Sequence, residues 1–309
     1  MALNTVTEAQ TLHRHEFTAM ASPCCFHLPD LPGIHTLAQQ MEEEVRRIEQ
    51  KYSRYRHDSV LSRLNAHAGQ TSVIDAETAW LLNYAKVCFE QSDGLFDISS
   101  GILRSVWNFR HPTLPDNTDL QRLLPRIGLG RLTLNANELW MPADMELDFG
   151  GIGKEYAADC AAAIARNAGV HQGIVDLGGD LHVLGPKITA QGEEPWLLGV
   201  RHPRKPQQAI AQLPVYRGGM ATSGDYERYF ELDGRRYCHL LNPQSGWPVS
   251  HWASVTVLAP SCLLAGTLSS IAMLREAAAV DWLKEQDVHA LLIDPALQLL
   301  PLTPDTQHP

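Results

Sequence analysis

Apolar residues at Ile34, Leu37, Met41, Val45, Ile48 and Tyr52 recur at steps of three and four, while Glu42, Glu43, Glu44, Arg46 and Arg47 fill the other face. That period predicts an amphipathic helix ending near Tyr52, followed by a turn-rich connector over residues 53–65. Upstream, the mixed apolar run 17–27 reads as a first strand. A second helix is predicted over 76–91, with Trp80, Leu81, Tyr84, Val87 and Cys88 on one side. Ser92-Asp93-Gly94 stops it, because Gly accepts the left-handed backbone that closes a helix.

Beyond the Pro- and Asp-rich loop 111–118, residues 132–141 read as a hairpin turning at Asn135-Ala136-Asn137. Residues 148–153 lead into a helix over 154–168 whose apolar face is read as Tyr156, Ala157, Cys160, Ala163 and Ile164. Strands are predicted at 173–177, 182–184 and 196–201. The runs Y-E-R-Y-F-E-L and R-R-Y-C-H-L-L flank Asp233-Gly234, a tight-hairpin signal because both central residues tolerate positive φ. A strand at 254–259, helices at 262–273 and 277–286, and a closing strand at 288–293 complete the chain. Strands and helices intermix without regular alternation, which reads as α+β rather than a doubly wound sheet.

Composition narrows the function classes. With 309 residues, 44% hydrophobic, the chain can bury a substantial core. A formal net charge of -10 argues against general nucleic-acid binding. The basic run Arg201-His202-Pro203-Arg204-Lys205 reads as a solvated loop or as a local steering patch for an anion. Six cysteines without CxxC spacing read as free thiols of a reducing compartment, and Cys24-Cys25 as packing. No apolar leader or transmembrane segment is evident, so a cytoplasmic location is expected. The ends, 1–14 and 303–309, read as flexible.

Several segments have the makings of a nucleotide site. Gly150, Gly151 and Gly153 precede Lys154 at a helix start, where small residues and free N–H groups suit a phosphate. Asp97, after Leu95-Phe96, reads by itself as a cap of the next helix. Thr222, Ser223 and His239 are placed on the two arms of the predicted hairpin. His239 reads either as a base for an attacking hydroxyl or as a hydrogen-bonded structural histidine. Without a G-x-S-x-G element, a serine hydrolase is a remote option.

The order of Phe17-Thr18-Ala19-Met20, Y-S-R-Y-R-H-D-S-V-L-S-R-L-N (52–65), S-D-G-L-F-D (92–97), L-D-F-G-G-I-G-K-E-Y-A-A-D (147–159), V-D-L-G-G-D-L-H-V-L-G (175–185) and the segment 221–249 resembles the FAD:protein FMN transferases, the ApbE family. The resemblance covers roughly residues 17–274. It implies an α+β fold with mixed and antiparallel sheets, flanking helices and a T-fold-like core, in a single domain over 15–302. It implies transfer of FMN from FAD to a Thr or Ser of a flavoprotein acceptor, releasing AMP. It assigns flavin-nucleotide contacts to Met20, Tyr55, Leu95, Phe96, Asp97, Asp148, Lys154, Thr222, Ser223 and Leu241, and the catalytic role to His239. A Mg²⁺ ion would take the Gly151 carbonyl and the Ser270 hydroxyl. Three positions depart from the pattern. Glu155 replaces Gly, read as a change at the edge of the site. Asn242 replaces Asp, keeping a hydrogen-bonding side chain. Gly266 replaces the metal-binding Asp of A-D-x-x-x-T, and the helix is expected to tolerate a carboxylate there. The alternative function is a non-catalytic FAD-binding protein that has lost this carboxylate.

Overall fold

The computed structural model describes residues 12–304. The expected flexible ends lie outside these residues, except that Leu12–Arg14 already belong to a strand and Thr303 and Pro304 follow the last one. In chain order the elements are β1 (Leu12–Ala19), β2 (Ser22–Pro29), α1 (Ile34–Tyr52), α2 (Val60–Ala66), β3 (Thr71–Val73), α3 (Ala76–Gln91), α4 (Asn117–Leu123), β4 (Thr133–Asn135), β5 (Glu138–Trp140) and α5 (Gly153–Asn167). Then come β6 (Gly173–Leu177), β7 (Asp180–Gly185), β8 (Lys187–Thr189), β9 (Gly192–Glu194), β10 (Trp196–His202), β11 (Lys205–Val215) and β12 (Gly218–Gly224). The chain closes with β13 (Tyr229–Leu232), β14 (Arg235–Cys238), β15 (Ser254–Ala259), α6 (Cys262–Arg275), α7 (Ala279–Glu285), β16 (His289–Ile293) and β17 (Leu299–Leu302).

These elements form two compact units. The first takes residues up to Glu49, 152–222 and 256–266. Its strands follow the order β1-β2-β6-β7-β12-β15, with antiparallel registers such as Cys24 opposite Leu177 and Asp176 opposite Leu181. Helix α5 packs on β6 and β7. Ile174, Leu181, Val183, Trp196, Leu198, Val215 and Met220 form an apolar cluster that seats the β10–β11 hairpin. The predicted single strand 17–27 is instead the two strands of a hairpin. Its turn, Met20-Ala21, carries φ of 52° and 57°, values that turn propensities assign to Gly or Asn.

The second unit takes 50–151, 223–255 and 267–304 of the described chain. It holds the small sheet β3-β5-β4, the hairpins β13–β14 and β16–β17, and helices α2, α3, α4 and α7. Ile102, Leu103, Trp107, Leu120, Leu123, Phe230 and Tyr237 make its aromatic-rich cluster. The Trp107 indole N–H also donates to the Gly246 carbonyl at 2.7 Å. The Asp233-Gly234 turn forms as expected, with φ of 50° and 73°.

Two helical faces differ from expectation. On α3 the buried residues are Thr78, Ala79, Leu81, Leu82, Ala85 and Cys88, whereas Trp80 and Val87 point outward. On α5 the buried face is Glu155, Ala157, Ala158, Ala161, Ala162 and Ala165, and Tyr156, Cys160, Ala163 and Ile164 are half-exposed. A helix made largely of Ala offers little contrast from which to choose a face. The predicted connector 53–65 contains α2, started by Ser59, whose hydroxyl accepts the Ser62 N–H. The strand at 289–293 is followed by β17 rather than closing the chain. The run Cys262–Glu285 is long and apolar enough to cross a membrane by length and composition, yet 56% of its most apolar 18-residue stretch is buried within the fold. Ala265, Leu268, Ile271, Ala272 and Met273 are among its buried apolar residues.

Candidate functional site

In the first unit, Met20 sits at the β1–β2 turn, where its N–H donates to Glu49 Oε1 at 2.6 Å. Left-handed backbone at a non-Gly residue costs roughly 1–3 kcal/mol and tends to mark functional segments. Lys154 opens α5, and its ammonium lies 2.8 Å from Asp180 Oδ2 on β7. Burial alone would lower the Lys154 pKa; Asp180 and then Glu155 outweigh it and hold the side chain charged. The turn between β6 and β7 passes through Gly178 and Gly179, both at positive φ. A Cβ on Gly178 would meet the Ser22 side chain at 2.6 Å and would stand 3.6 Å from Lys154 Nζ, so the glycine lets these elements close together. Thr222 lies on β12 with its hydroxyl 2.8 Å from that of Thr256.

Asp159 fixes the start of α6. Its two oxygens accept the Cys262 and Leu263 N–H groups at 2.8 and 2.9 Å, and Oδ1 also lies 2.6 Å from His182 Nδ1. This anchor sets Gly266, in the first turns of α6, directly over Glu155. A Cβ at 266 would lie 2.6 Å from Glu155 Cγ. The expectation that a carboxylate fits at 266 is therefore overturned: the space is taken. Glu155 is also no edge residue. It is 8% exposed, and its Oε2 is buried without a hydrogen-bond partner. Burial, and then the nearby charge of Asp180, push its carboxyl well above the usual carboxylate range, against the opposing pull of Lys154.

In the second unit, Tyr55 is 75% exposed, with the Arg54 guanidinium 4.9 Å from its ring centroid and donating to its hydroxyl at 2.8 Å. Arg54 also forms an ion pair with Asp148. Asp148 accepts the Gly150 N–H at 2.9 Å and is packed tightly against Gly101. Phe96 is buried, and Gly151 runs beneath its ring, where a Cβ would sit 3.6 Å from Cζ. Asp97 accepts the Ser99 N–H and hydroxyl at 2.7 and 2.6 Å and the Leu129 N–H at 3.1 Å. These contacts commit its carboxylate to the loop and to Leu129; it does not cap the next helix, the short 3-10 turn Ser100–Ser105, whose N-cap is Ser99 without a side-chain cap bond. Leu95 is half-buried on the same segment.

Ser223, like Thr222, is on β12; contrary to expectation, neither is on an arm of the β13–β14 hairpin. The Ser223 hydroxyl lies 2.9 Å from those of both Ser269 and Ser270. His239 follows β14 and donates its backbone N–H to the Arg228 carbonyl at 2.9 Å. Its Nδ1 is buried without a partner. Burial lowers its pKa to about 4, aided by the charges of Arg228 and Arg54. The imidazole is thus neutral at pH 7. Leu241 bridges to Pro248 and packs on the aromatic cluster. Asn242 Oδ1 accepts the Gln244 and Ser245 N–H groups at 2.9 and 3.2 Å, a turn that Asp would close equally well.

Sequence reasoning missed Arg54, Arg228 and Asp180. All three lie inside the quoted segments, and the arginines are next to tyrosines, a pairing that could have flagged them. A surface cleft lined by Val60, Arg63, Leu64, His67 and 71–75 contains none of the candidates. Among the described residues no group of three His, Cys, Asp or Glu side chains forms a ready metal cage.

The fold and this set of segments define an α+β protein of the flavinyl-transferase class. The structure matches the ApbE protein of Thermotoga maritima with a TM-score of 0.86 at 29% identity, covering 94% of this chain and 97% of that one. It matches the apo form of the Pseudomonas stutzeri flavinyl transferase ApbE with a TM-score of 0.83 at 28% identity, covering 95% and 94%. A FAD:protein FMN transferase of Treponema pallidum is 33% identical over 280 residues, 81% of this chain and 75% of that protein. The Vibrio cholerae FAD:protein FMN transferase is 28% identical over 251 residues, 78% and 74%. The profile of the ApbE family matches residues 8–292, and the chain belongs to that family.

Proposed function

We propose that this protein is a FAD:protein FMN transferase. An acceptor Thr or Ser hydroxyl attacks the phosphorus on the FMN side of the FAD pyrophosphate. The new P–O bond forms a phosphoester, the bond to the AMP phosphate breaks, and AMP leaves. The observation that carries this reading beyond family membership is His239. A neutral, partly exposed imidazole, flanked by the charges of Arg228 and Arg54, can take the hydroxyl proton beside positive charge suited to a phosphate.

Tyr55 offers an exposed ring for the flavin nucleotide, already oriented by Arg54. Lys154 supplies a fixed positive charge at the start of α5. The family resemblance gives Mg²⁺ the Gly151 carbonyl and the Ser270 hydroxyl, and an ion there would neutralise pyrophosphate charge. The acceptor is a flavoprotein presenting a Thr or Ser in a short polar segment.

A non-catalytic FAD-binding protein is the second reading, favoured by the missing carboxylate at Gly266. AMP separates the two. With FAD, Mg²⁺ and a flavin-accepting domain, chromatography should show AMP released in proportion to acceptor. FAD retained intact through many hours would favour the binding-only reading.

A further inference from the structure

We propose that Glu155 supplies, from α5, the carboxylate that α6 lacks at Gly266, and that its Oε2 is a ligand for a hard divalent cation. The inference rests on the transferase reading above, because that reading calls for a cation.

Two of the three departures from the family pattern, at 155 and 266, are one structural exchange. Gly266 leaves no side chain on α6, and Glu155 fills that space, its Cγ within 2.6 Å of where a Cβ would be. Either residue makes the other necessary. An Asp at 266 would collide with Glu155, and a Gly at 155 would leave the space beneath Gly266 without a carboxylate. The register between the helices is set by Asp159, which holds the first N–H groups of α6 from α5 itself.

The state of Glu155 points to a ligand. Its side chain is more than nine-tenths buried, and Oε2 has no partner in the fold. A buried carboxylate oxygen left unpaired is unfavourable unless a proton or a cation completes it. The adjacent Lys154 does not serve, since its ammonium is engaged 2.8 Å away with Asp180. With Glu155 ionised, one Lys against Asp180 and Glu155 leaves the locus one positive charge short of neutrality, and carboxylate oxygen is the donor type that hard cations prefer.

The test is Mn²⁺ binding by electron paramagnetic resonance on the full-length protein with saturating FAD. Three forms are compared: wild type, Glu155→Gln and the exchange variant Glu155→Gly/Gly266→Asp. Gln keeps the volume and removes the charge. Wild type should bind Mn²⁺. Glu155→Gln should bind it at least roughly 10–100-fold more weakly, the loss seen when even an outer partner of a metal ligand is removed. The exchange variant should recover binding. Equal Mn²⁺ affinity in wild type and Glu155→Gln, no binding by wild type, or an exchange variant as weak as Glu155→Gln would overturn the proposal; equal affinity would mean that a proton shared with Asp180 satisfies Glu155. Transfer measured on the same samples keeps the two readings apart. FMN transfer by wild type with Mn²⁺ binding indifferent to Glu155 sinks this inference alone. Glu155-dependent Mn²⁺ binding without transfer sinks only the transferase.

Discussion

Lys154 at the first turn of α5 and Asp180 at the start of β7 are held 2.8 Å apart, joining a helix to the strand on which it packs. Asp180 is buried and Lys154 half-buried, so removing one partner strands charge in the interior. Loss of one partner of a fully buried pair costs ~3–5 kcal/mol, and the partial exposure of Lys154 reduces the expectation to about 2 kcal/mol. Urea denaturation of Lys154→Met should show that loss. Lys154→Met/Asp180→Asn should cost less than the sum of the single variants. Additive losses would mean the pair is not coupled.

Packing at Gly266 sets two effects against each other. Ala in place of Gly in a helix gains about 1 kcal/mol of propensity. Against it, the new Cβ would meet the Cγ of the buried Glu155 at 2.6 Å, and overpacking costs typically ~1–3 kcal/mol. Gly266→Ala should therefore destabilise the protein, but stabilise it in a Glu155→Gly background. Thermal unfolding of the four forms checks the reversal of sign, and a stabilising Gly266→Ala in the native background would contradict the contact.

His239 gives a pH signature. Its folded pKa is lowered to about 4 from 6.5, so between those values the unfolded chain binds a proton that the folded chain refuses. Stability must then fall as pH drops from 6.5 towards 4. His239→Gln should flatten that part of a denaturation-midpoint profile. A profile of unchanged slope would place the titrating group elsewhere.

Local chemistry made much of the fold legible. The Asp233-Gly234 hairpin and α1 were readable because turn residues and helical period declare themselves within a few positions. The β1–β2 hairpin was hidden because its turn uses Met20 and Ala21, which have no intrinsic preference for positive φ. The buried face of α5 was misread for lack of contrast among its alanines. For the site, the motifs carried Lys154, Asp148 and His239 to the right neighbourhoods. That Asp97 spends its oxygens on Ser99 and Leu129, and that Glu155 occupies the space over which Gly266 lies, depend on contacts between distant segments. Glu155 and Gly266 each stood out as departures from the pattern; only their contact shows that they compensate.

Tyr55 is exposed and braced by Arg54 before any ligand arrives, as a preformed stacking surface would be. Tyr55→Ala should weaken FAD binding by about 0.5–1.5 kcal/mol, the range for an aromatic contact, with stability unchanged. Flavin-fluorescence titration checks it, and FAD should bind more tightly than FMN. Unaltered affinity would remove Tyr55 from the cofactor surface.

Covalent FMN on the acceptor is the most direct test of the transferase reading. Intact-mass spectrometry of a flavin-accepting domain, incubated with this protein, FAD and Mg²⁺, should show one added FMN, absent when the acceptor Thr or Ser is changed to Ala. His239→Ala should slow that transfer by about 10²–10⁴-fold, the usual scale for a general base, while binding FAD as before. An acceptor that stays unmodified by wild type while FAD is bound, or a His239→Ala variant that transfers at the wild-type rate, would contradict the account.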